Sequence, residues 1–269
     1  MAMRLSMNLV SLRKDPLPER LKAIAESGFE GVGLWVSDVD EFISQGGSLE
    51  EIGNLLREFN LEVPEICALG GWHLVDDKSG VKEEVEKIGE MCRGIGIERS
   101  VLVCPVAWEA EAPLERSVQD YRELCEMGKE WGLIMGLEFL GMRKGINNPI
   151  SAYEIVKEAN CENGGVIVDV FHLLKGGGTP ADLLSLPGEG IALVHFNDIS
   201  PDKALEEQSD ADRVLPGEGK APLKELIANL KKIGYGGWLS IEIFNPIHQS
   251  RPPLEVCKEA IKRAKELLI

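Results

Sequence analysis

Four ionisable side chains interrupt apolar runs of the sequence and together could bind a divalent metal ion. They are Glu138 in GLEFLG, Asp169 in IVDVFH, His195 in LVHFND and Glu242 in SIEIFN. Carboxylates that are buried together repel one another and raise one another's pKa, and a divalent cation removes that cost. Three oxygen ligands and one imidazole suit Mn²⁺, Mg²⁺, Co²⁺ or Zn²⁺.

The spacing of these residues indicates one ionisable group on each of four successive strands. Asp169 follows Glu138 by 31 residues, His195 follows Asp169 by 26, and Glu242 follows His195 by 47. The first two intervals each fit one strand and one helix, and the third fits one such unit plus an insert. A single buried acid is often a structural residue that hydrogen-bonds to the backbone. Four on consecutive strands favour a shared site.

The chain supplies the strands that such an arrangement requires. Apolar runs predict eight of them, over residues 4–10, 31–36, 62–69, 100–106, 134–140, 165–172, 192–198 and 238–244. The segments between the strands are amphipathic or begin with proline, as helices do. We therefore predict an α/β fold, a (β/α)8 TIM barrel that forms a single domain over residues 1–269.

A barrel of this kind places its active site at the carboxyl ends of its strands, which draws attention to two further residues. His172 lies just beyond Asp169, where it could donate to a substrate oxygen or cap a loop. Arg213 lies in an irregular insert, about residues 199–220, that follows the seventh strand. Its forked donors could hold a hydroxyl or a carboxylate, or form a surface salt bridge with Asp210, Asp212 or Glu218.

Composition excludes several kinds of partner. The 269 residues carry a formal net charge of -16, which disfavours nucleic acid and anionic membrane surfaces. The six cysteines are scattered without a CxxC pair, and no apolar stretch is as long as a membrane span. The N-terminus lacks the apolar region of a signal peptide. We expect a reduced, cytoplasmic protein, and the sequence leaves a homo-oligomer open.

Several motifs resemble the xylose isomerase-like TIM barrel superfamily of sugar isomerases and epimerases. They are GLEFLG, VIVDVFHLLKGGG, LVHFND, DADRVLPGEG and LSIEIFNP. Within that superfamily they look most like the 2-keto-myo-inositol (inosose) isomerases. The resemblance is strongest from about residue 134 to 246 and extends over most of the chain.

The resemblance implies roles for six residues. Glu138, Asp169, His195 and Glu242 would bind one divalent metal ion, for which Mn²⁺ is our expectation and Mg²⁺, Co²⁺ or Zn²⁺ the alternatives. Glu138 and Glu242 would also move protons on opposite sides of the substrate. His172 and Arg213 match positions that hold substrate oxygens, and the role of Arg213 rests mainly on the family.

These roles predict a metal-dependent isomerase or epimerase of a keto-sugar or keto-inositol that acts through a cis-enediolate. A dehydratase of the inosose or 3-dehydroshikimate type is the nearest alternative, because the same enolate could expel a hydroxyl. The superfamily also contains AP endonucleases, which use three zinc ions. Four histidines and an acidic chain disfavour that activity. A non-catalytic metal-binding protein is a further alternative.

Four other residues have more than one interpretation. Trp35, Trp72 and His73 could form an apolar wall of the site, although core packing is the commoner role for such residues. Asp198 could orient His195 or cap the loop that follows it.

Overall fold

The computed structural model describes residues 3–13, 15–107 and 112–269. Its eight parallel strands pair in sequence order and close into a barrel. They are β1 (Arg4–Asn8), β2 (Gly31–Trp35), β3 (Glu62–Cys67), β4 (Ser100–Pro105), β5 (Leu133–Glu138), β6 (Gly164–Asp169), β7 (Ile191–His195) and β8 (Trp238–Ile241). The predicted TIM barrel is confirmed.

Helices follow the strands and cover the outside of the barrel. They are α1 (Leu17–Ser27), α2 (Val36–Ser44), α3 (Leu49–Glu58), α4 (Ser79–Ile95), α5 (Leu114–Lys129), α6 (Pro149–Ala159), α7 (Val170–Lys175), α8 (Leu223–Lys232), α9 (Pro246–Gln249) and α10 (Pro253–Leu268). Helix α1 ends at Gly28, whose φ of 89° is readily adopted only by glycine. Across the described ranges, no helix is both long and apolar enough to cross a membrane.

Two apolar layers hold these elements together. The larger lies between the barrel and its helices, and includes Leu21, Ile24 and Val256. A smaller cluster fills the barrel interior, and consists of Cys67, Val101, Val103, Ile167 and Leu193. The interior is thus packed rather than open, as in other barrels, so the polar residues concentrate at the strand ends.

The predicted strands run one to three residues too far at their carboxyl ends. The clearest case is the segment predicted as a strand over residues 165–172, which ends at Asp169 and becomes α7 at Val170. Val170 and Phe171 are buried on the helix and extend the apolar run, so hydrophobicity alone did not mark the boundary. The 199–220 insert contains two short 3₁₀ turns, Leu205–Glu207 and Asp210–Asp212.

Candidate metal centre and active site

The four residues singled out as metal ligands lie at the same end of the barrel. Glu138, Asp169 and His195 are the last residues of β5, β6 and β7, and Glu242 directly follows β8. Asp169 and His195 are paired in the β6–β7 register. Because the carboxyl ends of neighbouring parallel strands meet at one rim, the four side chains converge there.

His195 lies at the centre of this cluster. Its Nδ1 is 2.9 Å from Glu138 Oε1, 3.5 Å from Glu242 Oε2 and 3.6 Å from Asp169 Oδ2. One donor atom from each of the four residues lies within 4.8 Å of the other three. Donors that share one divalent ion at bond lengths of about 2.0–2.3 Å lie up to roughly 4.5 Å apart. The geometry therefore fits a single metal ion with only small side-chain adjustments.

Arg213 reaches into the cluster from the insert. Its Nη1 donates to Asp169 Oδ2 and to Glu242 Oε2, each at 2.8 Å. Its Nη2 contacts Asp210, one of the acids considered as a surface partner. The side chain is only 2% exposed, however, so a surface salt bridge does not describe it. Asn245 Nδ2 donates to the Arg213 carbonyl at 3.0 Å and fixes the loop.

His172 lies beside Arg213 on the first turn of α7. Its backbone N–H donates to Asp169 Oδ1 at 2.9 Å, so Asp169 caps the helix and also faces the centre. Arg213 Nη2 lies 3.2 Å from His172 Nε2, and an arginine can only donate, so Nδ1 carries the proton. Among the described residues this buried Nδ1 has no partner.

The electrostatics of the cluster reflect an excess of negative charge. Burial raises the pKa of Glu242 to about 8, and Glu138 and Asp169 add to this, while His195 and Arg213 oppose it. Burial also disfavours ionised Asp169, yet Arg213 and His172 bring its pKa well below the ordinary value. Burial lowers the pKa of His195, but the charges of Glu242 and Glu65 outweigh this and raise it well above 6.5.

The charges of the centre are suited to a divalent cation. Four buried carboxylates, those of Glu65, Glu138, Asp169 and Glu242, surround the two cationic side chains of His195 and Arg213. Two negative charges remain when all of these groups are ionised, and three once His195 loses its second proton, as an imidazole must to bind a metal. Buried charge without compensation is costly, and a divalent ion bound by three carboxylates and the neutral imidazole would offset most of it.

Glu65 is the site residue that sequence reasoning missed. It lies in β3, is completely buried, and its Oε2 is 2.8 Å from His195 Nε2. Burial opposes ionisation of Glu65, but His195, Ser240 and Asn8 outweigh burial and lower its pKa. The available signal was the one used for the other four residues, an acid inside an apolar run, VPEICAL.

A cavity of about 160 Å³ opens above the cluster. Glu138, His172, Arg213 and Glu242 form part of its wall, and Trp35, Leu140 and Phe244 supply apolar surface. Trp35 and Phe244 meet edge to face, with ring centroids 6.0 Å apart. A larger depression of about 950 Å³ lies at the amino-terminal ends of the strands, away from these side chains. The small cavity is therefore the candidate substrate site, because it adjoins the four clustered side chains.

The remaining candidates divide between wall and core. Trp35 lines the cavity, as one interpretation predicted. Trp72 is 1% exposed and packs on Tyr121, and buried His73 hydrogen-bonds to Ser117, so both belong to the core. Asp198 does not contact His195 through any described hydrogen bond. Its carboxylate instead accepts four backbone N–H groups of the insert, at Ile199, Gly217, Gly219 and Ala221.

Comparison with known proteins places the chain in context. A family model described as "Xylose isomerase-like TIM barrel" matches residues 21–267. The chain is 32% identical to a 3-dehydroshikimate dehydratase of Pseudomonas aeruginosa over 93% of its own length and 39% of the relative. A second such dehydratase, from Pseudomonas putida, is 28% identical and is covered over 41% of its length. The chain thus spans about two fifths of these curated relatives.

Other relatives match over most of both chains. An inosose isomerase of Bacillus velezensis is 27% identical over 95% of this chain and 92% of the relative. A crystal structure of the IolI protein with a bound zinc atom superposes with a TM-score of 0.89 and 24% identity, over 99% of this chain and 98% of the other. That structural likeness shows the fold.

Proposed function

The chain belongs to the xylose isomerase-like TIM barrel family, and we propose that it is a divalent-metal-dependent isomerase or epimerase of a keto-inositol or keto-sugar. The observation that carries this proposal is the convergence of Glu138, Asp169, His195 and Glu242 around one point beneath a small cavity. The inosose isomerases among its relatives support a cyclic polyhydroxy ketone as substrate.

The proposed reaction removes a proton from the hydroxyl-bearing carbon next to a carbonyl group and returns one to the former carbonyl carbon, or to the opposite face of the same carbon. Glu138 and Glu242, which reach the cavity from β5 and from the end of β8, are the proposed acid and base. One carboxylate takes the proton next to the carbonyl, which leaves a cis-enediolate. The other returns a proton at the neighbouring carbon or on the opposite face. Before a cation binds, burial and the neighbouring acids raise the pKa of Glu242 to about 8, and a bound cation would favour the ionised form that accepts a proton.

His172 and Arg213 are the proposed substrate-binding residues. The unpartnered Nδ1–H of His172 can donate to a substrate oxygen at the cavity wall. Arg213 holds Asp169 and Glu242 in place and lines the same wall, so it can bind a hydroxyl and also fix the orientation of Glu242.

Glu138, Asp169, His195 and Glu242 are the proposed ligands of the metal. When bound, a divalent ion would act as a Lewis acid that polarises the carbonyl group of the substrate. Mn²⁺ is the ion that we propose, because three carboxylates and one imidazole form a predominantly hard ligand set, and Mg²⁺, Co²⁺ and Zn²⁺ also accept such ligands.

A dehydratase is the second candidate, because the 3-dehydroshikimate dehydratases match 93% and 97% of this chain. The same proton abstraction would then be followed by loss of a hydroxyl group from the adjacent carbon. An AP endonuclease is disfavoured, because two of the four histidines, His73 and His248, are engaged elsewhere by Ser117 and Glu218.

We place the enzyme in the cytoplasm, since its six cysteines are unpaired among the described residues.

Proton exchange followed by NMR tests this proposal. The Mn²⁺-activated protein is incubated in D₂O with 2-keto-myo-inositol, tagatose, fructose, psicose, hydroxypyruvate and 3-dehydroshikimate, and manganese is removed before spectra are recorded. We expect deuterium next to the carbonyl of one substrate and a new ketone isomer, both abolished by a chelator. Loss of water in place of a new isomer would assign the dehydratase. No exchange with any of the six would contradict both candidates.

A further inference from the structure

Glu65 is a buried carboxylate that the proposed reaction does not use. It lies on β3, and its side chain crosses the barrel toward β7 and β8. Oε2 lies 2.8 Å from His195 Nε2, and Oε1 accepts from Asn8 Nδ2 at 3.0 Å and from Ser240 Oγ. An interior barrel position is ordinarily apolar, so a carboxylate with three donors requires a specific explanation.

The two nitrogens of His195 face different groups. Nδ1 faces the three carboxylates of the proposed metal centre, whereas Nε2 faces Glu65. A neutral imidazole has one N–H donor and one lone pair, and its hydrogen bond selects which nitrogen carries the proton. An acceptor at Nε2 therefore leaves the lone pair on Nδ1, the nitrogen that faces the cavity side.

We propose that Glu65 is a positioning residue that holds His195 with its Nε2–H toward β3, so that Nδ1 is presented as a ligand to a divalent cation. The inference rests on the proposed metal centre and adds to it a residue that does not itself touch metal or substrate. Metal-binding histidines commonly donate their second N–H to a carboxylate in this way.

The surroundings of Glu65 are built to hold this carboxylate. A Cβ atom at Gly33 on β2 would overlap the Glu65 side chain, so the glycine provides its space. Asn8 Oδ1 accepts from Trp35 Nε1 at 2.6 Å and from Val10 N at 3.0 Å. With its oxygen occupied by two donors, Asn8 must turn its NH₂ group toward Glu65.

This fixed donor makes Glu65→Gln an informative substitution. The glutamine oxygen is expected to turn toward Asn8 Nδ2, which can only donate. The glutamine NH₂ group would then face His195 Nε2 and require a lone pair there, which moves the imidazole proton to Nδ1. The variant keeps the size of the side chain but presents the wrong nitrogen to the metal.

Glu65, Cys67 and His195 also form a cluster that could hold a cation of its own. That arrangement competes with the positioning role, because a cation between Glu65 and His195 would replace their 2.8 Å hydrogen bond. The number of ions bound per chain separates the two interpretations.

Metal titration of the full chain by calorimetry, with Mn²⁺ as the probe, tests the inference. We expect one ion per wild-type chain and an affinity about 10- to 100-fold lower in Glu65→Gln. Asp120→Asn is the matched control, because Asp120 is also a buried carboxylate with several donors. It lies on α5 and accepts from Leu74 N and Arg116 Nε, and no described hydrogen bond joins it to His195. The Mn²⁺ affinity of this variant should stay within twofold of wild type.

A second measurement determines which nitrogen of the His195 imidazole carries the proton and which binds the metal. In the protein loaded with diamagnetic Zn²⁺, ¹H–¹⁵N NMR of the histidine rings should show His195 protonated at Nε2 and coordinated through Nδ1. Glu65→Gln should lose that pattern, which a general loss of stability would not produce. If Glu65→Gln fails to fold, Glu65→Asp replaces it, since the shortened carboxylate should also weaken Mn²⁺ binding.

Three results would overturn the inference. Unchanged Mn²⁺ affinity in a folded Glu65→Gln or Glu65→Asp variant would remove the role of Glu65 while the metal centre stands. Two ions per wild-type chain, one of them lost in Glu65→Gln, would make Glu65 a ligand instead. Absence of Mn²⁺ and Zn²⁺ binding by the wild type would overturn the metal centre itself, and the role of Glu65 with it.

Discussion

Glu138 and Glu242 have the same side chain, but the structure gives them different partners. Glu138 lies 2.9 Å from His195 Nδ1, whereas Glu242 lies 3.5 Å from it and also accepts from Arg213 at 2.8 Å. Burial raises the pKa of Glu242 to about 8. Two carboxyl groups in unlike surroundings can take unlike roles in proton transfer. This difference makes single substitutions at the two positions informative.

We expect Glu138→Gln and Glu242→Gln each to abolish turnover, by a factor of at least about 10². Glutamine keeps the shape of the side chain but cannot accept the substrate proton. Turnover of the substrate found by proton exchange is the measurement, with circular dichroism to verify the fold. Glu162→Gln, an exposed position before β6, is the control and should behave as wild type. Activity within about tenfold of wild type would remove that glutamate from the mechanism.

His73 provides a residue-level prediction about stability and pH. Burial lowers its pKa to about 4, with Lys78 and Arg116 adding to this and Asp120 opposing it. Its Nδ1 accepts from Ala107 N, and protonation would break that bond. The folded state therefore binds this proton less readily than the unfolded state, so the stability that neutral His73 supports is present above pH 6.5 and is lost as the pH falls toward 4.

Thermal unfolding of wild type and His73→Gln at several pH values measures this effect. The stability difference between the two proteins should shrink between pH 6.5 and 4, by up to about 3 kcal/mol. Carboxylates elsewhere titrate in both proteins and cancel in the comparison. Parallel loss of stability over this range would contradict the assignment of the effect to His73.

At the scale of elements, the carboxylate of Asp198 accepts more backbone hydrogen bonds than any other described side chain of the insert between β7 and α8. Asp198 accepts four backbone N–H groups, and its own backbone pairs with Val214, the residue after Arg213. These hydrogen bonds hold the charged insert in one conformation. Their consequence is that Arg213 reaches the proposed metal centre at a fixed position.

Asp198→Ala should therefore loosen the insert and weaken substrate binding. Removing the acceptor breaks four partly buried hydrogen bonds to backbone N–H groups, and we expect a loss of about 2–4 kcal/mol of stability. Limited trypsin digestion should cut faster at Lys203 and Lys220, and KM should rise through displacement of Arg213. Asp202→Ala, an exposed position in the same insert, is the control. Unchanged digestion in Asp198→Ala would show that other contacts hold the loop.

The sequence predicted which segments form strands better than it predicted where the strands end and which side chains meet across the barrel. All eight strands and the carboxyl-terminal rim followed from apolar runs and spacing, because buried parallel strands are continuously hydrophobic. The predicted end of β6 at residue 172 was wrong because Val170 and Phe171 remain apolar after the backbone turns into a helix. Glu65 also interrupts an apolar run, but it was missed because it lies within β3 and not at its carboxyl end, and its contact with His195 spans 130 residues of sequence.

In the molecule as a whole, the apolar residues that stabilise the barrel lie apart from the polar residues of the candidate site. Apolar clusters fill the interior and the helix layer, while the polar groups of the candidate site gather at the carboxyl ends of the strands. The net charge of -16 is distributed over the chain, yet the decisive charges are the few that are buried together at this rim. A divalent cation would join four strands and so also stabilise the closed barrel.

Anomalous diffraction from crystals grown with Mn²⁺ would locate the bound ion. We expect one anomalous peak per chain, within about 2.3 Å of donor atoms from Glu138, Asp169, His195 and Glu242, with the imidazole bound through Nδ1. A fully occupied peak elsewhere, or none at this rim in saturating Mn²⁺, would contradict the proposed metal centre.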